Sequence, residues 1–244
     1  MPTRAKYKRV LLKLSGEALC AAGAGGLDAG ALRKVALEIG RIVKMGVQVG
    51  LVIGGGNIAR GRDFTGNHDI DRATADYMGM LATIINGLAL RDTMEHLGID
   101  AAIMSPIADP RLCEPFARRR ALELLEQGKV LILAGGTGSP FFTTDTCAAL
   151  RACELGAEVL LKATKVDGVF DSDPAANPKA RKYHRLTYSK VLADRLGVMD
   201  LTAISMCMDR AIPVVVFAMA KSGNLAAAVR GQSVGTTISL DARE

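Results

Sequence analysis

The sequence predicts an α/β fold, with a largely parallel sheet covered by helices on both faces. Three observations predict it. Short apolar runs without polar alternation recur along the chain, as strands buried on both faces require. Segments with apolar residues at helical spacing separate these runs. Glycines close several of those segments, a common helix C-terminal signal. At 244 residues, 49% hydrophobic and 23% charged, the chain can fill a packed core, and whole-chain disorder is excluded.

Lys8–Ser15 (KRVLLKLS) reads as the first buried strand. Asp28 can cap a helix in which Leu32, Val35, Ile39, Ile42 and Val43 share a face and which Gly46 closes. Val47–Ile53 is β-branched and apolar, a second strand. After a turn-rich stretch from Arg60 to Asn67, a long helix is expected from about Asp71 to Leu97, ended by Gly98. Ile99–Met104 is the next strand, Glu114–Gln127 the next helix with Gly128 as its stop, and Val130–Ala134 (VLILA) a further strand. A helix over Thr144–Leu155, with Thr144 or Asp145 as its cap, stops at Gly156, and Ala157–Leu161 is a strand again. A polar loop (Asp167–Pro178), short helices at Tyr188–Leu196 and Leu201–Met208, and a strand at Pro213–Phe217 follow. No internal repeat appears. One domain over residues 1–244 is expected, with a soft lobe boundary near Ala163.

The formal charge of +6, from 31 basic and 25 acidic side chains, points to anionic partners. The basic clusters Arg118–Arg120 and Lys179–Arg185 carry no interleaved aromatic platform, so nucleic acid is not the expected partner. The charge-free run Met45–Ala59 holds five glycines in 15 residues, short of the ~20 apolar residues that span a bilayer, so no membrane is expected. Lys13 and Glu17 interrupt the apolar N-terminal run, against a signal peptide. Five cysteines without a C-x-x-C pair read as reduced thiols of a cytoplasmic protein. The three histidines lack zinc-ligand spacing.

Loops after apolar strands carry the candidate chemistry, because ligands of open α/β sheets gather at the carboxyl ends of strands. Four such loops stand out: Leu14-Ser15-Gly16-Glu17, Gly54-Gly55-Gly56-Asn57, Gly135-Gly136-Thr137-Gly138-Ser139-Pro140, and Lys162 through Phe170 leading to Asp173-Pro174. Glycines let backbone N–H groups close on phosphate oxygens, and hydroxyls and lysines add donors and charge. Lys13 is notable for lying inside an apolar strand, where it faces a cleft or else solvent from a sheet edge. A Walker A loop and a G-x-S-x-G elbow are both absent. Gly54-x-Gly56-x-x-Ala59 matches a relaxed dinucleotide fingerprint, but a turn-rich segment follows it rather than a continuous helix. Asp76, Asp145, Asp167, Asp173 and Asp200 fall near these loops. Each suits a magnesium site built mainly from phosphates, and each also suits a cap or turn.

Six segments occur in order: KLSGEAL (Lys13–Leu19), VIGGGNIARG (Val52–Gly61), TADYMGMLAT (Thr74–Thr83), GTGSPFFTTD (Gly136–Asp145), KATKVDGVFDSDP (Lys162–Pro174) and VMDLTA (Val198–Ala203). Together they resemble the bacterial UMP kinases of the amino acid kinase superfamily, from about Tyr7 to about Leu240. The resemblance implies a three-layer αβα sandwich and ATP- and Mg²⁺-dependent phosphorylation of UMP to UDP in pyrimidine nucleotide biosynthesis. It implies that Lys13, Leu14, Ser15 and Gly16 hold the ATP phosphates, with Gly56 and Arg60 beside them. Gly55 would approach UMP and Asp76 its ribose. Thr137, Gly138, Ser139, Pro140, Phe141, Phe142, Thr143 and Thr144 would hold the uridine and its phosphate. Thr164, Phe170 and Asp173 would line the ATP nucleoside pocket. Asp145 would orient Lys13 and the metal, with Lys165 or Lys162 as second cation, and Asp200 joins the catalytic set. A homohexamer with GTP as activator and UTP as inhibitor is implied as well. Departures are Ser139 and Ala218 where Asn is usual, Glu95 and Ala102 where some relatives are basic near the GTP site, and an individual stretch from Arg62 to Asp69. Two rivals stay open: a superfamily kinase acting on a carboxylate, and a non-catalytic binding or storage relative.

Overall fold

The computed structural model describes residues 4–21, 23–59, 70–107, 109–174 and 176–241. Arg60 and the stretch from Arg62 to Asp69, singled out above, lie outside the described residues. Among the described residues the strands β1 (Arg9–Leu14), β2 (Gln48–Ile53), β3 (Ala101–Ser105), β4 (Glu114–Pro115), β5 (Val130–Leu133), β6 (Val159–Thr164), β9 (Arg185–Thr187), β10 (Val214–Ala218) and β11 (Thr236–Ser239) form a nine-stranded sheet. Its order is β4-β3-β5-β2-β1-β6-β10-β11-β9, and every pairing is parallel except β10 with β11. β7 (Val169–Phe170) and β8 (Lys182–Tyr183) make a separate antiparallel pair.

Two apolar layers explain the continuous hydrophobic strands. Alternate side chains of the sheet, such as Leu12, Leu14, Leu51, Ile53, Leu161 and Phe217, pack with α1 (Ala29–Val43), α2 (Arg72–His96) and α7 (Asn224–Val229). The intervening ones, among them Leu11, Val52, Leu160 and Val216, pack with α3 (Arg118–Glu126), α4 (Thr144–Leu155), α5 (Tyr188–Ala193) and α6 (Leu201–Asp209). With period-two alternation feeding both faces, both faces of the central strands are predominantly apolar. Asp28 caps α1 through its carboxylate, which accepts from Ala31 N at 2.7 Å, and Asp71 caps α2 in the same way.

The helix expected from Glu114 starts only at Arg118, because Pro115 excludes its predecessor from helical geometry and has no N–H to give. Glu114–Pro115 instead pairs with Met104–Ser105 as an edge strand. The strand expected to end at Leu161 runs on through Lys162, Ala163 and Thr164, since β1 and β10 on its two sides extend the ladder past the apolar run. Thr143, rather than Thr144 or Asp145, caps α4: its hydroxyl accepts from Asp145 N at 3.0 Å and Thr146 N at 3.2 Å. The elements β4, β7, β8, β9, β11 and α7 were not expected. Each is six residues or fewer, too short to display a period.

Candidate active site

Lys13 and Lys162 are direct partners across the β1–β6 pairing, on the face that packs against α4. Adjacent strands lie about 4.8 Å apart, so the fold sets two cations side by side in its interior. Lys13 lies on the fifth strand of nine, flanked by β2 and β6, which removes the solvent-facing edge alternative. One carboxylate answers both charges. Asp145, in the first turn of α4, places Oδ2 2.6 Å from Lys162 Nζ and Oδ1 3.0 Å from Lys13 Nζ. Lys162 Nζ also donates to the Val198 carbonyl. Burial pushes the Lys162 ammonium below its usual pKa and the neighbouring Lys13 adds to this, while Asp145 opposes both. Asp145 Oδ1, although buried, accepts no hydrogen bond among the described residues. The 3.0 Å approach of Lys13 is thus a charge contact without hydrogen-bond geometry.

Asp200 holds the start of α4. It caps α6 through Ala203 N at 2.9 Å and accepts from Thr146 Oγ1 at 2.8 Å and from the Thr143 hydroxyl. Burial pushes its carboxyl up, but these donors outweigh it and hold the group below the usual carboxylate range. Asp200 therefore braces the segment bearing Asp145 and faces neither lysine directly in hydrogen-bond contact.

The first two loops interlock through close backbone approach. Ser15 caps a single 3-10 turn over Gly16–Leu19, and Gly54 N donates to the Leu14 carbonyl at 2.9 Å. A Cβ on Gly16 would lie 2.5 Å from the Gly54 carbonyl oxygen, and one on Gly55 would lie 2.4 Å from that of Gly79. Only glycine fits either place. The Leu14 side chain is buried in the core, so Leu14 offers the site only its backbone.

A cavity of about 500 Å³ opens beside these loops. Gly55, Gly56, Asp76, Thr137, Ser139, Phe142, Thr143 and Thr144 line it, together with Glu17, Arg72 and Thr83, to which the sequence assigned no site role. Asp76 is doubly held: Arg72 Nε lies 2.9 Å from Oδ1 and 3.1 Å from Oδ2, and Phe141 N donates to Oδ2 at 2.8 Å. The last bond fastens Phe141 in a left-handed backbone conformation, φ 72°, which a bulky side chain rarely adopts. The Arg72–Asp76 spacing of four on a helix was a signal in the sequence that went unused. Gly138, Pro140 and Phe141 belong to the same loop without lining the cavity.

The remaining expected residues sit elsewhere. Thr164 and Lys165 line a second cavity of about 810 Å³ that shares Glu17 with the first and also includes Ser15. Lys165 is 79% exposed and pairs with Glu17 at 2.6 Å, whereas Lys162 is the lysine that reaches Asp145. Phe170 lies on β7 opposite Lys182, and Asp173 is exposed in the turn beyond it. No group of three or more metal-ligating side chains occurs among the described residues. No helix among them is long and apolar enough to cross a membrane.

Residues 8–218 match the amino acid kinase family. The fold is shared with solved structures. A UMP kinase from Bacillus anthracis superposes with a TM-score of 0.94 at 40% identity, with 97% of each chain covered. A UMP kinase from Ureaplasma parvum gives 0.90 at 36% identity, covering 96% of this chain and 99% of that one. A uridylate kinase from Archaeoglobus fulgidus gives 0.71 at 28% identity, covering 94% and 99%.

Proposed function

This chain belongs to the amino acid kinase family, and we infer that it is a UMP kinase, transferring the γ-phosphoryl group of ATP to UMP to give UDP and ADP. The observation that carries this reading is the Lys13–Asp145–Lys162 cluster, whose carboxylate directly follows Thr143-Thr144 in the chain; both threonines line a cavity of about 500 Å³ that Asp76 also lines. Identity of 40% and 36% to two UMP kinases over nearly the whole chain supports it.

Phosphoryl transfer asks a protein for position and charge rather than for covalent chemistry. The acceptor is already an anion: an oxygen of the UMP phosphate attacks the γ-phosphorus as the bond to the β–γ bridging oxygen breaks, so no general base is needed. Lys13 and Lys162 supply two fixed positive charges where negative charge spreads in the transition state. Asp145 keeps them apart and in place. The backbone amides of the Ser15–Gly16 turn and the Gly54–Gly56 loop donate to phosphate oxygens. A carboxylate accepts about four hydrogen bonds, so Asp76 can hold Arg72 and Phe141 N and still accept from ribose hydroxyls. The loop from Thr137 to Thr144 covers the uridine and its phosphate. Thr164, Phe170 and Asp173 serve the ATP nucleoside, in a donor lobe that follows residue 163.

Mg²⁺ fits this reading. Asp145 Oδ1, buried and accepting no hydrogen bond among the described residues, suits a cation held mainly by phosphates with one carboxylate. When bound, Mg²⁺ neutralises phosphate charge. A homohexamer in the cytoplasm, activated by GTP and inhibited by UTP, completes the proposal. Exposed Tyr77, Leu81 and Ile85, 44%, 51% and 47% accessible on successive turns of α2, support contact between copies.

The test is an ATP-consumption assay with UMP, CMP, dTMP, glutamate and N-acetylglutamate as acceptors. Turnover greatest with UMP is expected. Turnover with a carboxylate acceptor, or none with UMP, overturns the reading.

A further inference from the structure

Helix α2 meets the active-site loops along one narrow stripe. Asp76 accepts from Phe141 N, Gly79 backs onto Gly55, and the Thr83 hydroxyl accepts from Gly135 N at 2.7 Å. One turn further on, Asn86 donates to the Gly54 carbonyl at 2.8 Å. Positions 76, 79, 83 and 86 fall within an arc of about 80° at 100° per residue. The stripe thus touches the second and third candidate loops in register.

Asn86 is wholly buried, and Asn57, the residue after the three glycines, is 7% exposed. Their amides form a closed pair. Asn86 Nδ2 donates to Asn57 Oδ1 at 2.8 Å, and Asn57 Nδ2 donates back to Asn86 Oδ1 at 3.0 Å. Each amide spends its second N–H on a backbone carbonyl, Asn86 on Gly54 and Asn57 on Gly26 at 2.7 Å. All four side-chain N–H groups are used. The pair also abuts the first loop, since a Cβ on Gly16 would lie 2.3 Å from Asn57 Oδ1.

The geometry points to Asn57 and Asn86 as positioning residues for phosphoryl transfer. Their amide pair sets the Gly54–Gly56 loop and the Gly16 turn at a fixed height relative to the helix that carries Asp76. This rests on the kinase reading given above. Neither side chain lines the cavity, so they act through the loops and not on a ligand. Apolar packing alone would stabilise α2 as well as a buried amide does. What an amide adds is direction: a satisfied buried network admits one arrangement of its partners. The donor phosphates and the acceptor ribose are thereby referred to one rod.

The experiment compares Asn86→Leu, of similar size without donors, and Asn57→Ala with a control, Met94→Ala. Met94 is fully buried on the same helix, within the core behind the sheet. We would measure Tm, kcat, KM for each nucleotide, and calorimetric affinity for UMP and a non-hydrolysable ATP analogue, singly and together. In both asparagine variants kcat should fall about 100-fold, the scale of an ångström-sized misplacement. UMP affinity alone should stay near wild type, while the mutual effect of the two nucleotides should shrink. Met94→Ala should lower Tm and spare kcat. Wild-type kcat in a folded Asn57→Ala or Asn86→Leu protein overturns the inference, as does an equal kcat loss in Met94→Ala. Failure of Asn57→Ala to fold assigns the pair to stability alone and overturns it too. A wild-type chain inert toward UMP is a different result, and refutes the kinase reading instead.

Discussion

Replacing Asp145 by Asn keeps the shape of the side chain and removes the charge that stands between two lysines. The carboxylate oxygens lie 3.0 Å from Lys13 and 2.6 Å from Lys162. At an effective dielectric of about 20, a unit charge pair at about 3 Å is worth roughly 5–6 kcal/mol. Desolvating the ions offsets much of that, and deleting one member of a buried set costs about 3–5 kcal/mol. The lysines, neighbours across one strand pairing, are then left to repel each other. Turnover should fall about 10²- to 10³-fold, the loss typical of one misplaced transition-state donor. The pH dependence is the sharper readout. Burial and Lys13 already hold the Lys162 pKa below 10.5, against the upward pull of Asp145 and, more weakly, of Asp200. Without Asp145 it falls further, so the alkaline limb of kcat should move to lower pH. For stability, the cost of burying charged Lys162 is present in full below its folded pKa. It fades as pH rises toward 10.5, because there the unfolded state binds more protons. The deficit of Asp145→Asn against wild type should therefore narrow with rising pH. The assays are kcat against pH and thermal unfolding over the same range. An unmoved alkaline limb, or kcat within about two-fold of wild type, refutes the clamp.

Gly16→Ala should cut kcat at least about 100-fold, because its Cβ meets the Gly54 carbonyl oxygen at 2.5 Å and backbone cannot yield as a side chain end can; a steady-state rate near wild type would show that the loops do not interlock as described. Asp76→Asn should raise KM for UMP with little change in kcat, and an effect confined to ATP would remove Asp76 from the ribose. Burial pushes the Cys147 and Cys207 thiols up to about 11 and about 12, so thiol titration near neutral pH should leave both unmodified until denaturant is added. Their labelling in the native chain would contradict the packing between α4 and α6.

Much of the fold was legible because its strands are buried on both faces and its helices obey one period. Asp28 as a cap and the full extent of α4 follow from residue types alone. The interlocked glycine loops were visible as punctuation after apolar runs, and Lys13 as a charge inside one. What stayed hidden depends on pairing. Nothing in KATK tells Lys162 from Lys165 until β6 is laid beside β1, when one lysine turns inward to Asp145 and the other outward to Glu17. Asn86 reads as an ordinary polar residue in a helix, and its meaning arises from Asn57, 29 positions away. The short strands β9 and β11 exist because a neighbouring edge accepts them, a tertiary cause that their own residues do not announce.

The two clamp lysines ride on β1 and β6, each hydrogen-bonded to a strand on either side. Amide exchange is slowest where opening demands that the whole sheet come apart, so fraying should begin at borders such as β4 and β9. A cation pair anchored at the innermost ladder has no partially melted form of its own. On heating, catalytic competence should vanish in step with the cooperative loss of the sheet, while an ensemble that has shed only its borders still turns over.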